Sequence, residues 1–113
     1  MCLNTITETG LNESGSGWKV FDKVPFGGLR FEFYGGLVIT GKWLASDDAT
    51  LGGMFSRSYD SGFHIFTHRW GADHWRDSDK QEVVKVMYRN GHTAGTNGGH
   101  DVIVAKEMYV PND

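Results

Sequence analysis

The chain has a single cysteine, two prolines, no long apolar run and no block of basic residues. Each scarcity excludes something. Cys2 has no partner for an internal disulfide, which fits a reducing compartment. No segment approaches the roughly 18 apolar residues of a membrane span. The opening Met-Cys-Leu-Asn-Thr-Ile-Thr-Glu has neither the basic region nor the apolar core of a signal peptide. A cytoplasmic protein with no membrane partner is therefore expected. The 11 Lys and Arg lie scattered from Lys19 to Lys106 and are outnumbered by 14 Asp and Glu, for a net charge of −3. Phosphate neutralisation needs a clustered basic stripe, so nucleic acid is not an expected partner. Two Pro against 16 Gly, interleaved with strand-like runs, point to many turns rather than to a disordered linker.

The chain does have aromatics, at 13% of its residues. Four Trp, seven Phe and four Tyr supply much of the core, because each ring buries a large area. At 113 residues one domain, 1–113, is expected, able to bury roughly two-thirds of its unfolded surface without a staple. Small polar residues at 10–17 predict a flexible loop. Strand-like alternation runs from Trp18 to Val24 and from Leu29 to Tyr34. A turn is expected at Gly35-Gly36, and another strand from Leu37 to Leu44. Residues 46–61 read as loop, anchored in part by Met54 and Phe55. After the apolar run Gly62–Phe66, Thr67 is placed to cap a short helix over about 67–77. That helix would bury His68, Ala72 and Trp75 and solvate Arg69, Asp73 and Arg76. Residues 82–89 and 101–110 are β-branched and predict a C-terminal β-hairpin around an eleven-residue loop, 90–100. The fold class expected is α+β, mainly antiparallel sheet with one short helix.

Chemistry has few places to sit. Removal of Met1 would leave Cys2 with its thiol beside an α-amine that can serve as base, the arrangement of N-terminal nucleophile hydrolases. His64 or His92 would then be the assisting group, giving a small hydrolase or transferase as the alternative reading. The bland reading of Cys2, a small apolar residue in an N-terminal arm, is preferred. His68 and His74 are six apart, about 120° around a helix, and cannot chelate one ion as an i,i+4 pair does. His92 and His100 flank the long loop and are expected to face each other across its base. His92 and His100, with no third ligand near them in the sequence, do not define a site, so no metal and no cofactor is assigned. The loop itself, with His92, Asn97 and His100, is the preferred binding segment, since long loops on rigid hairpins carry function. Trp70 beside Arg69 has the composition of a binding hot spot.

The Met1-Cys2-Leu3 start, Gly62-Phe63-His64-Ile65-Phe66 before a helix containing Ala72, Val83-Val84-Lys85-Val86, Gly95 and Val102-Ile103-Val104-Ala105 occur in that order. This pattern resembles small proteins of bacteriophages and bacterial mobile elements that begin Met-Cys-Leu, carry Gly-Phe-His plus an aromatic before a short helix, and end in a hairpin. Trp18-Lys19-Val20 looks like their first strand, and residues 25–60 depart from the pattern. No activity comes with the resemblance, so no catalytic residue carries over. It implies a phage-type accessory role in the host bacterial cytosol. The lack of a complete catalytic constellation, with exposed aromatics and a long loop on a β-scaffold, adds the leading reading: a binding protein that engages a host protein or a small signalling ligand to blunt a defence system. A virion or assembly component is the third alternative.

Overall fold

The computed structural model describes residues 3–25, 27–31, 36–46, 50–52, 58–60 and 62–112. Cys2, Gly35, residues 32–34, Met54 and Phe55 lie outside them. The chain is mainly antiparallel β-sheet with one short helix, in line with the α+β class. Two long strands dominate: β1 (Thr5–Lys23) and β7 (Gln81–Asn97). They pair antiparallel from Thr5↔Thr96 to Asp22↔Gln81, with register shifts near Ile6, Thr9 and Glu13. Between them in sequence come β2 (Leu29–Phe31), β3 (Trp43–Ala45), β4 (Thr50–Gly52), β5 (Ser58–Asp60), β6 (Phe63–Phe66) and α1 (Arg69–Trp75). The last strand is β8 (His100–Tyr109). β4 and β5 form a separate two-stranded ladder.

The main sheet closes on itself. β7 pairs β8, β8 pairs β6, and β6 returns to β1 through Trp18↔Phe66. Trp18 thus has Lys85 across one edge of its strand and Phe66 across the other. A Cβ on the neighbouring Gly17 would lie 2.5 Å from the Phe66 carbonyl oxygen, so only glycine permits this approach. β2 pairs alongside the last residues of β1, from Phe21↔Phe31 to Lys23↔Leu29, and β3 pairs β8 at Trp43↔Tyr109.

Strand alternation sorts the core onto two faces. Phe66, Val102 and Val104 join Leu3, Ile6, Val20 and Ala72 in one cluster, with Trp18 and Trp75 packed against it. Ile65, Ile103 and Ala105 join Phe21, Val86, Met108 and Val110 in the other, with Phe31 and Phe63 at its margin. Because both faces are covered, these strands read as continuous apolar runs.

Five expectations are corrected. Residues 10–17 are strand, not loop: Gly15↔Tyr88, Ser16↔Met87 and Gly17↔Val86 are in register. Their side chains through Ser16 are mostly exposed, so no buried face marks them in sequence. Residues 90–97 also belong to β7, and only Gly98-Gly99 turn, at φ +60° and +82°. Two positive φ values fit a two-residue primed turn, for which glycine is suited. The helix starts at Arg69 with His68 as its N-cap, and no side chain caps it. Thr67 Oγ1 instead lies 3.5 Å from the Asp101 carbonyl oxygen. Of the expected strand 37–44, Leu37 makes one bridge to Arg30 and regular pairing starts only at Trp43; Leu37 and Ile39 on the expected face are exposed, and it is Val38 that packs on the core. Within 46–61, β4 and β5 pair as short strands, from Thr50↔Asp60 to Gly52↔Ser58.

Candidate functional site

The helix, though short, is firmly seated. Ala72 is fully buried, and Trp75 meets Phe66 with ring centroids 6.4 Å apart. Gly71 is buried against β8: a Cβ there would stand 3.0 Å from the Cβ of His100 and 2.8 Å from Phe66 Cδ1. The missing side chain lets the helix rest directly on the first residue of β8. The opposite, outward face of the helix is aromatic and charged. Trp70 is 65% exposed, the most exposed of the large apolar residues described. Its ring lies 5.6 Å from that of His68, and Arg69 pairs with Asp73 at 3.8 Å. His68 Nε2 is 3.8 Å from Asp101 Oδ2.

Seating α1 on the turn also brings two imidazoles together. His74 Nδ1 and His100 Nε2 are 2.9 Å apart, with ring planes inclined at 73°. One nitrogen must carry the proton and the other accept, since two N–H groups or two lone pairs would repel. Of the residues singled out in the sequence, Arg69 and Trp70 therefore lie on α1 and His100 lies against it. His74 is the residue that sequence reasoning missed. It is separated from His100 by 26 positions, and only the docking of a helix on a turn joins them.

His92 and Asn97 do not join this surface as loop residues. His92 occupies a bulge of β7, between Gly91↔Ala105 and Thr93↔Val104, and its Nδ1 is 2.7 Å from Thr93 Oγ1. Its expected partner across the loop, His100, faces His74 instead, because the presumed loop is paired strand. Asn97 is buried at the end of β7, opposite His100.

His64 lies elsewhere. It is buried on β6 across from Val104, the residue that Thr93 faces on the other side. Its Nδ1–H donates to the Gly62 carbonyl at 3.2 Å, and Lys19 Nζ donates to the carbonyl of His64 at 2.9 Å. Burial, reinforced by the Lys19 ammonium, lowers its pKa to about 3. So weakly basic an imidazole is a poor proton acceptor for a thiol at neutral pH. The proposed catalytic partner, Cys2, lies outside the described residues.

An open cleft of about 420 Å³ is lined by Asp22, Lys23, Arg30, Asp77, Lys80 and Gln81, and none of the singled-out residues borders it. Gln81 spans its floor, donating to Asp22 Oδ1 at 3.1 Å and accepting from the Asp77 amide at 3.0 Å. No helix among the described residues is long and apolar enough to cross a membrane. Comparison with protein families, with characterised proteins and with solved structures gave no match.

Proposed function

We propose that this chain is a small binding protein, an accessory factor of phage or mobile-element type, that engages a host protein through the outward face of α1. Trp70 carries the reading. A large ring held mostly in water on a helix whose other face is packed is ready to be buried by a partner. Arg69 beside it adds the second residue type enriched in such hot spots. Because Trp70 stands on a convex helix rather than in a concave pocket, a protein surface suits it better than a small ligand.

The test starts with a partner identified by crosslinking in the host cell and purified. Its affinity is then measured for the wild type and for Trp70→Ala. A fully engaged tryptophan is expected to contribute at least about 2 kcal/mol, a weakening of roughly thirtyfold, while the melting temperature stays unchanged. Met87→Ala, another exposed apolar side chain, serves as control and should bind normally. Equal affinity for Trp70→Ala and wild type would sink the proposal.

A further inference from the structure

We propose that His74 and His100 form a two-histidine site for a divalent transition-metal cation of tetragonal preference, Cu(II) or Ni(II), which ties α1 to the start of β8. The inference stands on this pair alone and does not depend on the partner proposed above. His74 Nδ1 and His100 Nε2 already converge to 2.9 Å, one on the last turn of the helix and the other beside the Gly98-Gly99 turn. Metal–imidazole bonds of about 2.0–2.1 Å at a right angle place the two nitrogens about 2.9 Å apart. A tetrahedral angle would need about 3.3 Å at the same bond length. In the metal-free pair the 2.9 Å is an N–H···N hydrogen bond, so the spacing shows that both nitrogens can reach one ion, and Cu(II) and Ni(II) are chosen because they stand high in affinity for imidazole sites.

The supports of both rings are rigid. Ala72 and Trp75 fix the helix on Phe66, and Gly71 fixes its distance from His100. Both rings retain access to water, His74 more so than His100, leaving room for water on the remaining coordination positions. Among the described residues no third His, Cys, Asp or Glu groups with them, so the protein supplies two ligands only. Binding needs one change. The imidazole that donates in the metal-free pair must carry its proton on its other ring nitrogen, a tautomer shift that leaves its charge unchanged and frees the lone pair for the metal.

The full-length chain is titrated with NiCl₂ by calorimetry and with CuSO₄ by electron paramagnetic resonance. One saturable site is expected, with a Cu(II) spectrum showing coupling to two imidazole nitrogens. Because the cation bridges two elements of the folded state only, saturating Ni(II) should raise the melting temperature by about 5 °C. His74→Gln and His100→Gln should each weaken binding by about tenfold or more and abolish that rise. Both substitutions are at solvent-accessible positions, and unchanged metal-free melting confirms that each variant folds. His92→Gln and Cys2→Ser should retain the wild-type site. The proposal is overturned if the wild type shows no saturable binding. It is equally overturned if His74→Gln and His100→Gln bind as the wild type does, or if Cys2→Ser removes the site.

Discussion

At the scale of single residues, His64 makes a prediction whose sign follows from its burial. In the unfolded chain it titrates near the model-peptide value of 6.5, and in the fold its pKa lies at about 3. Above pH 6.5 both states hold it neutral and it has no effect on the pH dependence. As pH falls from 6.5 toward 3, the unfolded chain takes up a proton that the folded one refuses. Stability must then drop by about 1.4 kcal/mol per pH unit across that window. His64→Gln keeps a side-chain N–H for the Gly62 carbonyl and cannot titrate. Urea midpoints measured between pH 7 and pH 4.5 should show a steeper acid loss for the wild type than for this variant, by about 2–3 kcal/mol at the lower end. Parallel slopes would mean that the imidazole is not held neutral. At this same scale some of the site was legible in the sequence. Trp70 and Arg69 stand out by composition alone. His74 does not, because its partner is set by tertiary docking and no local spacing encodes it.

At the scale of elements, legibility followed side-chain burial. Phe63–Phe66 and Val102–Ala105 are apolar runs, and both are strands buried on two faces. The polar stretches 10–17 and 90–97 look like loops because their residues are small and turn-prone. They are strands because each finds backbone partners on a facing strand: Glu13↔Gly91, Gly15↔Tyr88 and Gly17↔Val86 pair the first, while Thr5↔Thr96, Thr9↔Thr93 and, on β8, Gly95↔Val102 pair the second. In 10–16 the side chains stay mostly in water, so pairing leaves no periodic mark; in 91–97 burial does alternate, but the buried positions are Gly91, Thr93, Gly95 and Asn97, which carry no apolar signal. The energetic consequence is specific. Replacing residues 91–99 by a two-residue Asn-Gly turn removes pairing to β1 and β8 together, along with the buried Thr93 and Asn97. The expected loss is on the order of 5 kcal/mol, comparable to the whole stability of a small domain. Gly98→Asn is the matching control, because asparagine tolerates the left-handed first position of such a turn and restricts the unfolded chain. It should melt at or slightly above the wild-type temperature. A shortened protein that melts with the wild type would show that 91–97 carry no structural weight.

At the scale of the whole molecule, the contact that makes the sheet return on itself also positions the candidate site. β6 meets β1 at a single register pair, Trp18↔Phe66, and Phe66 is the residue on which Trp75 and the Gly71 face of α1 rest. Closure of the sheet and seating of the helix thus share one side chain. Gly17 governs the approach, since an added Cβ would meet the Phe66 carbonyl oxygen at 2.5 Å and Ile65 Cγ2 at 2.6 Å. The first of these is backbone, which has no rotamer by which to move aside. Gly17→Ala must therefore push β6 away from β1 or distort β1 locally, at about 1–3 kcal/mol as for other overpacked interiors. Displacing β6 carries Phe66 and α1 with it, so the damage should reach His74 and His100 although neither touches Gly17. Urea unfolding should show the stability loss, and Ni(II) titration of the folded variant should show weaker binding than the wild type. Gly36→Ala, where nothing lies within 4 Å and φ is not left-handed, should change neither measurement. If Gly17→Ala lost stability but bound Ni(II) unchanged, the helix would be seated independently of the closure. If it lost neither, the close approach of β1 and β6 would itself be wrong.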